Sequence, residues 1–249
     1  MALRAYGDGS LFGEQTGERP RVLALPGWMR TRADFAAALA GLDAIALDLP
    51  GFDGASPPPP EAWGAAEYAA ACQPVLDELV QPAIVVGHSF GGRVAVHLAA
   101  AHHEAVGGLV LTGVPLLRHA GSATSPRLVL RLARGAHRLG ILPASVVERQ
   151  RQRFGSADYR AAQGVMRDVL VRVVNESYEE QLAAITQPVE LVWGDSDTAV
   201  LPEVANRAEA LLAHSRLTIA GHVGHLLPTE APDVLRAAID RQLERLATS

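Results

Sequence analysis

Six short apolar runs, rich in β-branched residues, recur along the chain: RVLAL (21–25), DAIALDL (43–49), AIVVG (83–87), GLVLTG (108–113), VELVWG (189–194) and RLTIA (216–220). They do not alternate apolar with polar, so each reads as a strand buried on both faces. Between most of them lie stretches with helical spacing, from Thr31 to Leu42, Ala62 to Val80, Gly92 to His102 and Pro202 to His214. Strand–helix alternation of this kind predicts an α/β fold with a mainly parallel sheet covered by helices. The opening LRAYGDGSLFGEQTG reads as a hairpin turning on Gly7-Asp8-Gly9. SPPPPEAW (56–63) is a stiff connector.

The alternation stops after Val114. Residues 115–187 are helical in pattern and rich in arginine, with breaks at Gly121-Ser122, Gly140, Pro143 and Gly155-Ser156. Alternation resumes at Pro188, and VELVWG needs sheet neighbours that precede the break. The expected organisation is therefore one core, residues 1–114 and 188–249, carrying an inserted helical cap, residues 115–187.

One junction stands out. AIVVGHSFGGRVAVHLAAA (83–101) runs from a buried strand into an alanine-rich helix through a few residues with a serine among them. Gly87, Gly91 and Gly92 remove the side chains that would collide in so tight a turn. Ser89 is thereby pushed out of the backbone next to a helix N-terminus, where free N–H groups favour negative charge. Gly87-His88-Ser89-Phe90-Gly91 fits G-x-S-x-G, the nucleophile elbow. A glycine-rich connection without chemistry would read the same over five residues, so the motif needs partners.

A serine hydroxyl needs an adjacent base, usually histidine, oriented by a third group. In open α/β sheets such groups gather at the carboxyl ends of the strands. After VELVW comes Gly194-Asp195-Ser196-Asp197, and after RLTIA comes Gly221-His222-Val223-Gly224-His225. The order Ser, Asp, His along the chain is that of an α/β-hydrolase triad.

With these motifs in place, the chain resembles the cap-bearing serine hydrolase branch of the α/β-hydrolase superfamily over essentially its whole length. LALPGW is similar to the strand and oxyanion loop, DLPGFDGAS to the D-x-P-G-x-G-x-S loop and VVGHSFGG to the elbow. VWGDSD is similar to the G-x-x-D acid loop, and GHLLPTEAP to the terminal histidine loop. The resemblance implies a Ser89–His225–Asp197 triad. Asp197 holds the fourth position of G-x-x-D and is preferred to Asp195, a turn residue. His225 stands five residues before Glu230, as in the family's G-H-x4-E loop, which His222 does not. Some relatives carry the acid after an earlier strand, but here that position reads Thr112-Gly113-Val114.

Phe90, directly after the nucleophile, is expected to supply one oxyanion-hole N–H, and by resemblance Trp28 supplies the other. Two positions depart from the family pattern. Pro26-Gly27 replaces the usual His-Gly, so the loop must be fixed in another way, and Asp53 is an extra residue in GFDGAS. Trp28, Met29 and Phe90 are expected to form an apolar pocket wall, with Leu116 and Leu117 at the mouth of the cap. Aromatic residues are few, so alanine and leucine are expected to line the rest, which favours apolar acyl substrates. Carboxylic ester hydrolysis is the first expectation. Thioester, C–C bond and perhydrolase chemistry on the same residues remain open, as does a non-catalytic ligand receptor. Serine at the elbow argues against dehalogenase and epoxide hydrolase relatives, which carry aspartate there.

Composition narrows the rest. Cys72 is the only cysteine, which rules out an internal disulfide and a four-cysteine zinc site. It lies in a helical stretch and reads as packing. No metal set or cofactor motif emerges. No apolar run reaches membrane-spanning length, and the first residues lack an apolar signal segment, so a cytoplasmic protein is the default expectation. A net charge of −5 argues against general nucleic-acid binding. All 22 basic residues are arginine, and 11 of them lie in 115–187 beside six acids, leaving the insertion positive and the core negative. A solvated helical face is the favoured reading of these arginines. A docking surface for an acidic carrier protein is the alternative, prompted by the resemblance of PGW to the H-G-W of the carrier-protein methyl ester esterase of biotin synthesis.

Overall fold

The computed structural model describes residues 3–52, 56–117 and 157–248. Eight strands form one sheet in the order β1-β2-β4-β3-β5-β6-β7-β8. The opening hairpin consists of β1 (Leu3–Tyr6) and β2 (Leu11–Thr16), and β2 pairs antiparallel with β4 (Ala44–Asp48). From β4 onward every pairing is parallel, through β3 (Val22–Leu25), β5 (Ala83–His88), β6 (Val106–Thr112), β7 (Val189–Gly194) and β8 (Ser215–Ala220). The mainly parallel α/β sheet expected from the apolar runs is therefore present. Its central strands β3, β5 and β6 carry side chains buried on both faces.

Those faces sort by the two-residue period of a strand. Leu23, Leu25, Val85, Leu109 and Leu111 point to one side. There they meet α1 (Ala65–Leu76), α2 (Phe90–Ala101) and the helices α3 (Ala157–Ala161), α4 (Gly164–Val173) and α5 (Glu179–Ala184). Val22, Ala24, Ile84, Val86 and Val110 point to the other, where Phe35, Ala38, Leu235 and Ile239 cover them. Cys72 is fully buried on the first side, the packing role read from its helix.

The helices from Ala157 to Ala184 are tied to α1 and α2 by polar contacts as well as by their apolar faces. The buried Arg93 of α2 donates to the carbonyl of Val173 at 2.5 Å and lies over the Tyr178 ring. Arg172 pairs with Glu67 of α1, and the Tyr178 hydroxyl donates to Glu176. Residues 118–156, expected to form part of an inserted cap and holding most of the arginines of 115–187, lie outside the described residues, as does Asp53.

Two elements differ from the sequence reading. Thr31 to Leu42 is not a regular helix. Residues Arg32–Phe35 form a 3-10 turn and the rest continues as turns. The Arg32 backbone N–H donates to Asp48 Oδ1 at 2.8 Å, and its guanidinium pairs with the same carboxylate. The first turn is thus set by the end of β4, and i−3 bonds then dominate. The second difference is a 17-residue helix at the C-terminal end, α8 (Pro232–Thr248), which the apolar spacing left unassigned; α6 (Pro202–Glu209) and a single turn, α7 (Leu227–Glu230), precede it. Leu235, Ala238, Ile239 and Gln242 share the buried face of α8. Gln242 interrupts the apolar stripe because its amide donates to the carbonyls of Leu109 and Pro188.

Candidate active site

Ser89 stands between β5 and α2, as the N-cap of α2, in a strained conformation, φ 49 and ψ −110, which L residues rarely adopt. The elbow holds it there by backbone contact. Ser89 N–H donates to the Thr112 carbonyl at 2.9 Å, so the turn is fastened to the end of β6. A Cβ on Gly91 would stand 2.1 Å from the carbonyl oxygen of Leu25, and one on Gly92 the same distance from Val114 Cγ2. The glycines that sequence reading placed at the turn are therefore sites where main chain and side chain leave no room.

Two loops, after β7 and after β8, bring the expected partners to this serine. The Ser89 Oγ–H lies 3.1 Å from His225 Nε2, and His225 Nδ1–H donates to Asp197 Oδ2 at 2.9 Å. Asp197 is 2% exposed and divides its two oxygens. Oδ1 accepts the backbone N–H groups of Ala199 and Val200 at 2.9 and 2.8 Å, which leaves Oδ2 for the imidazole. Asp195 is exposed and accepts the Ser196 hydroxyl instead, while His222 is an exposed turn residue at φ 60. Between the two candidates of each pair, geometry joins Asp197 and His225 to Ser89. Beneath them lies Gly113, at φ +58. A Cβ there would come within 3.0 Å of the His225 ring and 3.4 Å of Asp197 Oδ2.

The loop after β3 abuts the elbow, since a Cβ on Gly27 would meet Ser89 Cβ at 3.3 Å. Its fixing without the family histidine is now visible. The Arg30 N–H closes a turn onto the Gly27 carbonyl, Met29 takes φ 53, and Arg30 grips Asp34 through two 2.6 Å hydrogen bonds. The backbone N–H groups of Trp28 and Phe90 have no acceptor among the described residues. Their rings stand edge to face at 5.7 Å, in a cluster that continues through Phe52 and Tyr68 to Trp63. Aromatic residues are few, but five of them collect beside the elbow, a concentration that counting by composition missed. Leu116 and Leu117 are buried in the same apolar cluster, and Met29 is half exposed.

Two further residues hold the histidine loop. Glu230 accepts the Gly224 N–H at 2.5 Å, and His88 Nε2 lies 2.9 Å from the His225 carbonyl oxygen. The first is the residue that stands five beyond His225 in the sequence motif. No signal in the sequence pointed to the contact made by His88.

Residues 22–238 match the family described as the Alpha/beta hydrolase family. An uncharacterised hydrolase of Bacillus subtilis, YugF, is 26% identical over 211 residues, covering 78% of this chain and 77% of its own. A 2-hydroxy-6-oxononadienedioate/2-hydroxy-6-oxononatrienedioate hydrolase from a Pseudomonas species is 25% identical and covers 78% of this chain and 74% of its own. Among solved structures, a thermophilic esterase from Thermogutta terrifontis shares the fold with a TM-score of 0.71 at 23% identity, over 95% of this chain and 93% of that one. The chain belongs to the α/β-hydrolase family and is a hydrolase of that fold. Among its described residues no helix is long and apolar enough to cross a membrane.

Proposed function

We propose that this hydrolase cleaves carboxylic esters of small to medium apolar acids through an acyl-enzyme on Ser89. The observation that carries the reading is the unbroken line of hydrogen bonds from Ser89 Oγ through His225 to a buried Asp197. His225 Nε2 takes the hydroxyl proton as Oγ attacks the ester carbonyl, and Asp197 holds the Nδ1 proton and balances the imidazolium. The N–H groups of Trp28 and Phe90 receive the oxyanion, each worth about 3–4 kcal/mol at the transition state. Collapse expels the alcohol, which takes the proton from His225. Water then repeats the sequence to release the acid. The apolar ring cluster supports an apolar acyl chain, and residues 115–187 act as the cap over it. Acidic carrier docking at its arginines stays secondary to a free small-molecule ester.

Hydrolysis of p-nitrophenyl esters of two to ten carbons tests this. The wild type is expected to turn over the shorter and middle members, and Ser89→Ala to lose at least about a thousandfold in kcat. Wild-type turnover that survives in Ser89→Ala would refute the reading. A second reading, hydrolysis of a 2-hydroxy-6-oxo dienedioate by C–C cleavage, draws on the Pseudomonas relative's named substrate. Loss of that chromophore with no ester turnover would favour it.

A further inference from the structure

His88 is buried one residue before Ser89, yet the proton relay does not use it. It ends β5, which is held between β3 and β6, and is itself paired with Thr112 of β6. Its ring is 1% exposed, and its one hydrogen-bond partner among the described residues is the main-chain carbonyl of His225. A carbonyl oxygen only accepts, so Nε2 carries the proton and Nδ1 is bare. Nδ1 has no partner and faces Gly27, where a Cβ would stand 2.8 Å away. The carbonyl thus fixes the tautomer, and a second proton at Nδ1 would be buried without an acceptor, which disfavours the imidazolium. Burial, with the neighbouring His225 as the next cause, accordingly pushes the His88 imidazole down to about 4.

The contact matters because of where it falls. The loop bearing His225 is held from three sides. Glu230 takes the Gly224 N–H, Ser196 N–H donates to the Val223 carbonyl at 3.0 Å, and His88 holds the His225 carbonyl itself. Of the three, only His88 is on the same strand end as the nucleophile. It therefore ties base to nucleophile directly, through one covalent neighbour and one hydrogen bond. We propose that His88 is a positioning residue that sets the distance between His225 and Ser89 by donating Nε2–H to the His225 backbone. This rests on the Ser89–His225–Asp197 reading above.

Filling space is the competing role, and an apolar ring would fill it as well. The test compares His88→Phe, which keeps bulk and removes the donor, with His88→Gln, whose amide N–H reaches about as far as Nε2. Active sites are counted by titration with a fluorophosphonate, folding is checked by circular dichroism, and kcat and KM are measured on a p-nitrophenyl ester. We expect the Phe variant to lose about tenfold or more in kcat per titrated site, with KM within about twofold. We expect the Gln variant to recover most of the loss. Wild-type kcat in the Phe variant, or equal losses in both variants, would overturn the proposal. His88→Met serves as the donorless variant if the Phe chain does not fold. A wild type that neither labels nor turns over would instead sink the triad reading and this inference together.

Discussion

At the scale of single residues, the site combines strain and relief in one serine. Ser89 occupies a backbone region that costs an L residue roughly 1–3 kcal/mol. The carbonyl of Thr112 and the packed glycines on either side hold it there. Ser89→Gly and Ser89→Ala both remove the hydroxyl, but only glycine removes the strain. The glycine variant should therefore melt about 2–4 °C above the alanine variant, for a difference of about 1 kcal/mol in a chain of this size. Equal melting temperatures would mean that the elbow is relaxed. Asp197 is tested by a neutral isostere. Asp197→Asn leaves the loop N–H bonds of Ala199 and Val200 an acceptor but removes the charge facing His225, and kcat should fall by several orders of magnitude with KM little changed. A loss under tenfold would assign the acid elsewhere.

At the scale of elements, the strand-to-helix junction depends on two glycines that differ in what surrounds them. Gly91 lies against the backbone of Leu25 and Gly92 against the side chain of Val114. Backbone cannot step aside as a valine rotamer can, so Gly91→Ala should destabilise more than Gly92→Ala, by about 3 against about 1–2 kcal/mol in denaturant unfolding. The reverse order would contradict the packing described. The same distinction explains what the sequence disclosed. Continuous apolar runs marked the parallel strands and glycine spacing marked the elbow, because both are local. Thr31 to Leu42 misled because its first turn is set by Asp48, distant in sequence. The terminal helix was overlooked because Gln242, on its buried face, serves the carbonyls of Leu109 in β6 and of Pro188 just before β7. His88 and Gly113 gave no motif of their own, since each acts on a residue more than a hundred positions away.

For the molecule as a whole, pH reports on what is buried. His88 binds its proton far less readily folded than unfolded, so the folded chain carries fewer protons between about pH 6.5 and 4. Stability contributed by the neutral ring is full above that window and is lost as pH falls through it, by about 3 kcal/mol in all. His97, depressed by burial against Tyr178, adds in the same direction. The groups that act on His88 are His225, Asp34 and Arg30, and none of them removes its desolvation. Unfolding free energy measured at pH 7 and pH 4.5 should drop less in His88→Gln than in the wild type. An identical drop would mean that His88 is hydrated. The central claim is narrower and can be tested directly, by mapping the adduct that a fluorophosphonate leaves on the wild-type enzyme. One phosphonyl group on the peptide containing Ser89, formed in step with loss of ester turnover, is the predicted result. Full modification at another residue, or complete inhibition with Ser89 unmodified, would contradict the account.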